Sequence, residues 1–324
     1  MRPFHICITS AGRRVEFMNS LRSDAQSLGI EIRLSALDSN PALSAACQKA
    51  DQCFSVPRCA EPNYITRLSK ICSENAVNLL VPTIDTELPF LSKEQRFFAE
   101  KGCKIVISEW ESVKVARDKL LTTKVLTAQK IPSPVTALLS DVYTGKVSIP
   151  FPAVLKRIDG SSSIGLHFAT TLDEARALKL DGEAYVAQEQ CIGPEYTVNC
   201  FVDQKGALRA AVPHRRIETR SGEVSKGVTE RRDDLHKLAE QIVVALPGLR
   251  GPFCFQVILT ENGPKVFEIN ARFGGGYPLA HAAGATFGKW LIEEAIGLPS
   301  TAHNNWQEGL LMLRYDAAIF KTYD

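Results

Sequence analysis

At 324 residues the chain is long enough for two or three domains with cores of their own. Its 38 Lys and Arg against 36 Asp and Glu are mixed along the whole length, so no concentrated basic field offers itself to nucleic acid or a membrane surface. No stretch approaches the ~20 apolar residues of a membrane span, none follows Arg2 as a signal peptide would, and the nine cysteines lack Cys-x-x-Cys or zinc-finger spacing; the expectation is a cytoplasmic protein with reduced thiols.

Residues 4–9 are a short apolar run rich in β-formers. Ser10, Ala11 and Gly12 break it, and residues 13–28 carry helical spacing at Val15, Phe17, Met18, Leu21 and Leu28. Residues 30–37 predict a strand ending at Asp38, 64–75 a helix, 77–82 a strand, 88–102 a helix and 104–107 a further strand. Such alternation implies βαβ units and a parallel sheet, whose ligands bind beyond the carboxyl ends of the strands; Asp38, Thr83, Asp85 and Glu87 fall there. A helical linker is expected over 111–130. Pro132, Pro134, Pro150 and Pro152 then bracket a loop-rich passage. Strands are predicted over 153–157, 184–190, 195–202, 208–217, 253–259 and 265–270, with helices over 172–180, 232–246 and 287–296. Many strands with few helices between them imply antiparallel α+β domains. The expected class is α/β and α+β, divided at 1–110, 111–190 and 191–324.

Residues 266–276 hold the strongest local signal. On a strand Glu268, Asn270 and Arg272 share one face. The two side-chain oxygens suit Mg²⁺, and the guanidinium suits a terminal phosphate or an acyl phosphate. If residues 253–257 pair with this strand around the turn at Glu261, Asn262 and Gly263, Gln256 faces the same ions. The bland reading is an exposed edge hairpin, against which the apolar flanks argue. A second signal is Lys156, at the end of an apolar strand and followed by Gly160, Ser161, Ser162, Ser163 and Gly165. Such a loop can fold its N–H groups around phosphate, although a plain flexible hairpin fits it as well. It is not a Walker A loop, because the lysine precedes the glycines. Third, the strand at 185–191 ends in Gln188, Glu189, Gln190 and Cys191, turns at Gly193 and Pro194, and resumes at Glu195. These residues can serve an adenine edge and ribose hydroxyls, or form an ordinary strand–turn–strand.

Taken in order and spacing, these segments resemble the ATP-grasp superfamily, and within it the carbamoyl-phosphate-synthetase-like single-chain carboxylate–amine ligases. The resemblance covers nearly the whole chain. It implies a pre-ATP-grasp domain at 1–110, including residues 82–87; a central subdomain with the Gly/Ser loop; and a C-terminal subdomain with the metal strands. It also implies Lys119 and Lys156 on the nucleotide phosphates, Ser161, Ser162, Ser163 and Gly165 in the phosphate loop, Gln188 to Cys191 at the adenine and Glu195 at the ribose. Gln256 and Glu268 would bind nucleotide and metal, with Asn270 as a further metal ligand. Arg272 and Lys156 would be the catalytic pair, and the cofactors ATP with one or two Mg²⁺ ions, Mn²⁺ being an alternative.

The implied reaction activates a small carboxylate as an acyl phosphate, joins it to an amine or similar nucleophile, and releases ADP and phosphate. An ATP-binding protein that needs a partner subunit, and a phosphotransferase that stops at a phosphorylated product, are the alternatives. A dinucleotide oxidoreductase fits less, because the turn at residues 10–14 has one glycine. The expected partners are small molecules, with no nucleic acid or membrane, and a homodimer is the expected assembly. Arg215 and Arg216 alternate faces on a strand, so one of them is a candidate carboxylate clamp, with Gly275 and Asp85 as further substrate candidates; the loop 220–229 follows. His281 is expected to be structural.

Overall fold

In the computed structural model, which describes residues 3–160 and 164–322, the alternating segments of the first third build a five-stranded parallel sheet. Its strands are β1 (Phe4–Ile8), β2 (Ile32–Asp38), β3 (Gln52–Ser55), β4 (Leu79–Val81) and β5 (Lys104–Ile105), in the order β3-β2-β1-β4-β5. The chain leaves β1 for β2 on one side and returns to β4 on the other. The carboxyl ends of β1 and β4 therefore flank the switch point where such sheets open a crevice. Strand β3 was not expected; it is an edge strand whose residues are half-buried or exposed, so it lacks an apolar run.

Two expected helices are each split. Residues 88–102 form the helices Leu88–Lys93 and Gln95–Ala99. Residues 111–130 form Trp110–Arg117 and Lys119–Ala128, because Asp118 adopts an extended backbone and caps the second helix, accepting from Leu121 N at 2.9 Å.

The remaining strands are antiparallel. Strands β6 (Thr136–Leu138), β7 (Ala153–Arg157), β8 (His167–Ala169) and β9 (Tyr185–Glu189) form a four-stranded sheet ordered β6-β9-β7-β8. Strands β10 (Glu195–Val202), β11 (Leu208–Arg220), β12 (Glu223–Thr229), β13 (Gly251–Thr260), β14 (Gly263–Asn270) and β15 (Leu311–Leu313) form a six-stranded sheet ordered β14-β13-β10-β11-β12-β15. The segment 220–229, expected as a loop, is mostly β12: Ser221 and Gly222, at φ 51° and 75°, reverse the chain into a hairpin with β11.

The first and third sheets are fused by packing. The helix Val15–Ser27 contributes Phe17, Met18 and Leu21 to a core shared with Phe273, Tyr277, Phe287 and Trp290. The Phe17 and Phe273 rings lie 4.5 Å apart. His281 joins the same seam, its Nε2 2.9 Å from Asp24 Oδ1, which accounts for it without chemistry. The four-stranded sheet instead packs on a separate small core around Leu139, Leu155 and Ala187. Among the described residues no helix is long and apolar enough to cross a membrane.

Candidate active site

A cavity of about 840 Å³ lies between the two antiparallel sheets and runs to the carboxyl ends of β1 and β4. One wall is a polar face of the six-stranded sheet. In register, His214 of β11, Thr197 of β10, Gln256 of β13 and Glu268 of β14 make one cross-strand row. Asn199, Cys254 and Asn270 make the next. Alternation puts Glu195 and Arg216 on this face as well. The register slips between Gln256 and Val257, which leaves Phe267 without a cross-strand partner. This bulge lets Phe267 and Glu268, neighbours in sequence, both line the cavity.

The opposite wall supplies the lysines. Lys156, on β7, donates to Gln188 Oε1 at 2.7 Å and sits 4.8 Å from the Phe267 ring centre. Gln188 in turn donates to Thr136 Oγ1 at 2.9 Å, which fixes its oxygen toward the lysine. Burial, opposed by Glu268, lowers the Lys156 pKa to about 8. Lys119, the first residue of its helix, donates to Gly160 O at 2.5 Å, and burial lowers its pKa too.

Arg272 closes the far end of the metal-like row. Its Nε and Nη2 donate to Asp85 Oδ2 at 3.1 and 2.6 Å. Burial disfavours its charge, but Asp85, Cys254 and Glu268 together outweigh burial and raise its pKa. Asp85 is positioned by the turn after β4. There Glu87 accepts from Thr83 N at 2.8 Å, Tyr64 Oη at 2.8 Å and Ser10 Oγ at 3.1 Å, tying the loops after β1 and β4 together.

Of the sequence candidates, Lys119, Lys156, Gln188, Glu189, Gln190, Cys191, Glu195, Arg216, Gln256, Glu268, Asn270, Arg272, Gly275 and Asp85 line this one cavity. Several are already engaged. The Glu189 carboxylate accepts from Lys265 Nζ at 2.6 Å and Val135 N at 3.0 Å. Glu195 pairs with Arg216, and Asp85 holds Arg272, so Asp85 is a positioning group before it is a substrate contact. With its amide turned to satisfy both neighbours, Gln256 accepts from Arg216 at 2.7 Å and donates to Glu268 at 2.7 Å.

Two candidates fall outside. Arg215 lies on the other face of β11 and pairs with Glu230 at 2.7 Å, so of the two arginines Arg216 is the inward one. Gly165, at φ 72°, is a turn residue packed against Tyr185 and Arg157 and does not line the cavity. Ser161, Ser162 and Ser163 lie outside the described residues. Sequence reasoning missed Arg13, Arg14, Glu223 and Phe267, all of which line the cavity. Only the two arginines carried a signal, standing directly after a β1 end in a βαβ unit.

Residues 6–106 match the family model described as "PylC-like, N-terminal domain", and residues 116–276 match the one described as "ATP-grasp domain". Residues 116–276 of the chain are an ATP-grasp domain. A phosphoribosylamine–glycine ligase of Methanococcoides burtonii is 36% identical over a segment that covers 29% of this chain and 27% of that protein, so the match spans only about a quarter of the relative's length. Among solved structures, an L-amino acid ligase from Bacillus licheniformis superposes with a TM-score of 0.69 at 16% identity, over 93% of this chain and 76% of its own. The biotin carboxylase domain of Hydrogenobacter thermophilus 2-oxoglutarate carboxylase, crystallised with MgADP, ADP and bicarbonate, gives 0.71 at 17% identity over 95% of this chain and 73% of its own. At these identities the structures share the ATP-grasp fold.

The donor row of this ATP-grasp domain is chemically suited to Mg²⁺ shared with phosphate. Gln256, Glu268 and Asn270 offer two amide oxygens and one carboxylate, and among the described residues no group of three or more His, Cys, Asp or Glu forms a stronger metal cage. Mg²⁺ is held in this way, by few carboxylates plus phosphate oxygens.

Proposed function

We propose that the protein is an ATP-dependent, ADP-forming ligase that phosphorylates a small carboxylate and joins it to an amine. One observation carries the reading: Lys156 on one sheet and Lys119 at the start of its helix line a single cavity with the Gln256, Glu268 and Asn270 row of the other sheet, with Arg272 at its end. Phosphoryl transfer needs positioning and charge neutralisation, and the site supplies both without a protein nucleophile.

Lys119 and Lys156 neutralise the inner phosphates. The strand end at Gln188 to Cys191 meets the adenine, and Glu195, steadied by Arg216, accepts from the ribose hydroxyls. Glu268, Asn270 and Gln256 would hold Mg²⁺, the amide of Gln256 turning its oxygen from Arg216 toward the ion; bound there, Mg²⁺ draws charge from the phosphate oxygens. Arg272, held by Asp85, stabilises the phosphoryl group as a carboxylate oxygen of the substrate attacks it and the bond to ADP breaks. The amine nitrogen then attacks the acyl carbon, phosphate leaves, and the nitrogen gives up a proton. The nine free thiols favour a reducing compartment, which supports a cytoplasmic setting for this chemistry.

The test is Mg²⁺-dependent ADP release by the full chain, over a panel of small carboxylates with hydroxylamine as the amine, beside Glu268→Gln. Hydroxamate formed in step with ADP, and lost in the variant, supports the ligase. Phosphorylated product without hydroxamate would replace it with a phosphotransferase, and absence of MgATP binding would remove both.

A further inference from the structure

Beyond Arg272 the cavity ends in a cationic chamber made by residues from three distant parts of the chain. Arg13 and Arg14 come from the loop after β1, Glu223 from the start of β12, and Arg314, which backs Glu223 without lining the cavity, from the segment just after β15. Glu223 is the hub. Its Oε2 lies 3.0 Å from Arg13 Nη2 and 3.3 Å from Arg314 Nη1, and its Oε1 lies 3.7 Å from Arg14 Nη2. Gly275 makes room for it: a Cβ there would stand 2.8 Å from Glu223 Cδ. Arg314 also donates to Gly275 O, so the hub and its floor are fixed together.

This arrangement leaves Arg14 short of a counter-ion. Its side chain is 19% exposed, and Glu223, its carboxylate partner, is shared with two other arginines. Its one short bond is to the neutral Thr83 O, at 3.0 Å. Burial accordingly lowers the Arg14 pKa in spite of Glu223. Asp85 eases the Arg14 charge less than Arg272 opposes it, and both Asp85 hydrogen bonds go to Arg272. Counting Arg314 behind Glu223, four guanidinium groups thus stand against the Glu223 and Asp85 carboxylates at this end of the cavity, an excess of two positive charges before Glu268, which acts on Arg272 from the donor row.

We infer that this chamber selects an acyl substrate bearing a second anionic group, a carboxylate or a phosphate, in addition to the carboxylate that is phosphorylated. The inference deepens the ligase reading and rests on it for which carboxylate reacts. A substrate with two negative groups cancels the excess: one group sits toward Arg272, the other on the Arg14 edge, where a guanidinium can offer a fork of N–H donors. A zwitterionic substrate would leave the excess in place, and its ammonium would find the Glu223 oxygens already taken.

The test measures binding to the full chain by calorimetry at constant ionic strength without nucleotide. The probes are glutarate, 3-phosphonopropionate and butyrate, with MgATP binding measured separately. Glutarate or 3-phosphonopropionate should bind at least ~tenfold more tightly than butyrate, and which of the two leads identifies carboxylate or phosphate as the second group. Arg14→Gln should remove that preference. If that variant does not fold, Arg13→Gln, at an exposed position, should reduce the preference several-fold. Butyrate binding as tightly as the dianions, or a preference that survives in both variants, overturns the inference. MgATP binding without dianion preference sinks this inference alone; dianion preference without MgATP binding sinks the ligase reading and leaves the anion chamber standing.

Discussion

Replacing Asp85 by asparagine removes the carboxylate that holds Arg272 across the seam between the first and third sheets. The two side chains are 6% and 15% exposed, and two guanidinium nitrogens contact one carboxylate oxygen, the shorter at 2.6 Å. Charges about 4 Å apart at an effective dielectric of ~20 attract by ~4 kcal/mol, and breaking one half of a buried pair costs ~3–5 kcal/mol. Arg272 keeps its bonds to Phe273 O at 3.0 Å and Asn270 Oδ1 at 3.3 Å, and Glu268 still favours its charge. The expected loss in Asp85→Asn is therefore ~2–4 kcal/mol. Removing Arg272 as well returns part of it, so the coupling in a cycle with Arg272→Gln should be at least ~2 kcal/mol. Urea unfolding followed by tryptophan fluorescence reads it, because Trp290 and Trp306 are buried in the shared core. Stability changes that add to within ~0.5 kcal/mol would refute the assignment of Asp85 as the partner that fixes Arg272.

Three other outcomes are expected. Glu268→Gln, which removes the carboxylate from the donor row, should lower ADP release by ~10²–10³-fold and raise the Mg²⁺ concentration at half-saturation, read by a metal titration of the ADP-release rate. Because Lys156 loses its proton near pH 8, ATP affinity should fall by up to ~tenfold per unit above that pH, with proton uptake seen by calorimetry in two buffers; Lys156→Gln should flatten the profile. The same depression acts oppositely on the free protein: between about 8 and the ordinary 10.5 the unfolded lysine holds its proton and the folded one does not, so stability rises with pH. Gly193→Ala should destabilise the β9–β10 turn by more than ~2 kcal/mol in a denaturant midpoint, since φ is 151° and a Cβ would stand 1.9 Å from Leu259 O.

What could be read in the sequence was what is encoded locally. Glu268, Asn270 and Arg272 are spaced by two within an apolar strand, so alternation alone put them together, and the turn at 261–263 brought Gln256 opposite Glu268. Lys156 ends a run of apolar β-formers. The misses have physical reasons. Strands β6, β8 and β15 are three residues each and carry too few side chains for a period. The bulge that brings Phe267 into the cavity is a property of two strands in register, not of either one. Asp118 did carry a legible signal, a capping residue before Lys119, but the apolar spacing on either side of it concealed the break. The Glu223 chamber was beyond reach because its partners are 210 and 91 positions away.

The packing also divides the labour of the cavity. The loops after β1 and β4, Arg272 and the six-stranded sheet belong to elements joined by one continuous core, with Phe17 against Phe273 and His281 against Asp24 at the seam. The four-stranded sheet has a core of its own and meets the rest through polar and single contacts: Lys265 with Glu189 at 2.6 Å, Val266 N with Pro132 O at 2.9 Å, and Lys156 over Phe267. Shared buried apolar area resists relative movement far more than a few exchangeable hydrogen bonds do. The groups that would orient the acyl substrate, Asp85, Arg272 and the arginines around Glu223, are therefore held rigidly. Lys156, which would meet the nucleotide phosphates, rides on the wall most free to adjust. That asymmetry suits a site that must keep one reactant aligned while the other enters and leaves.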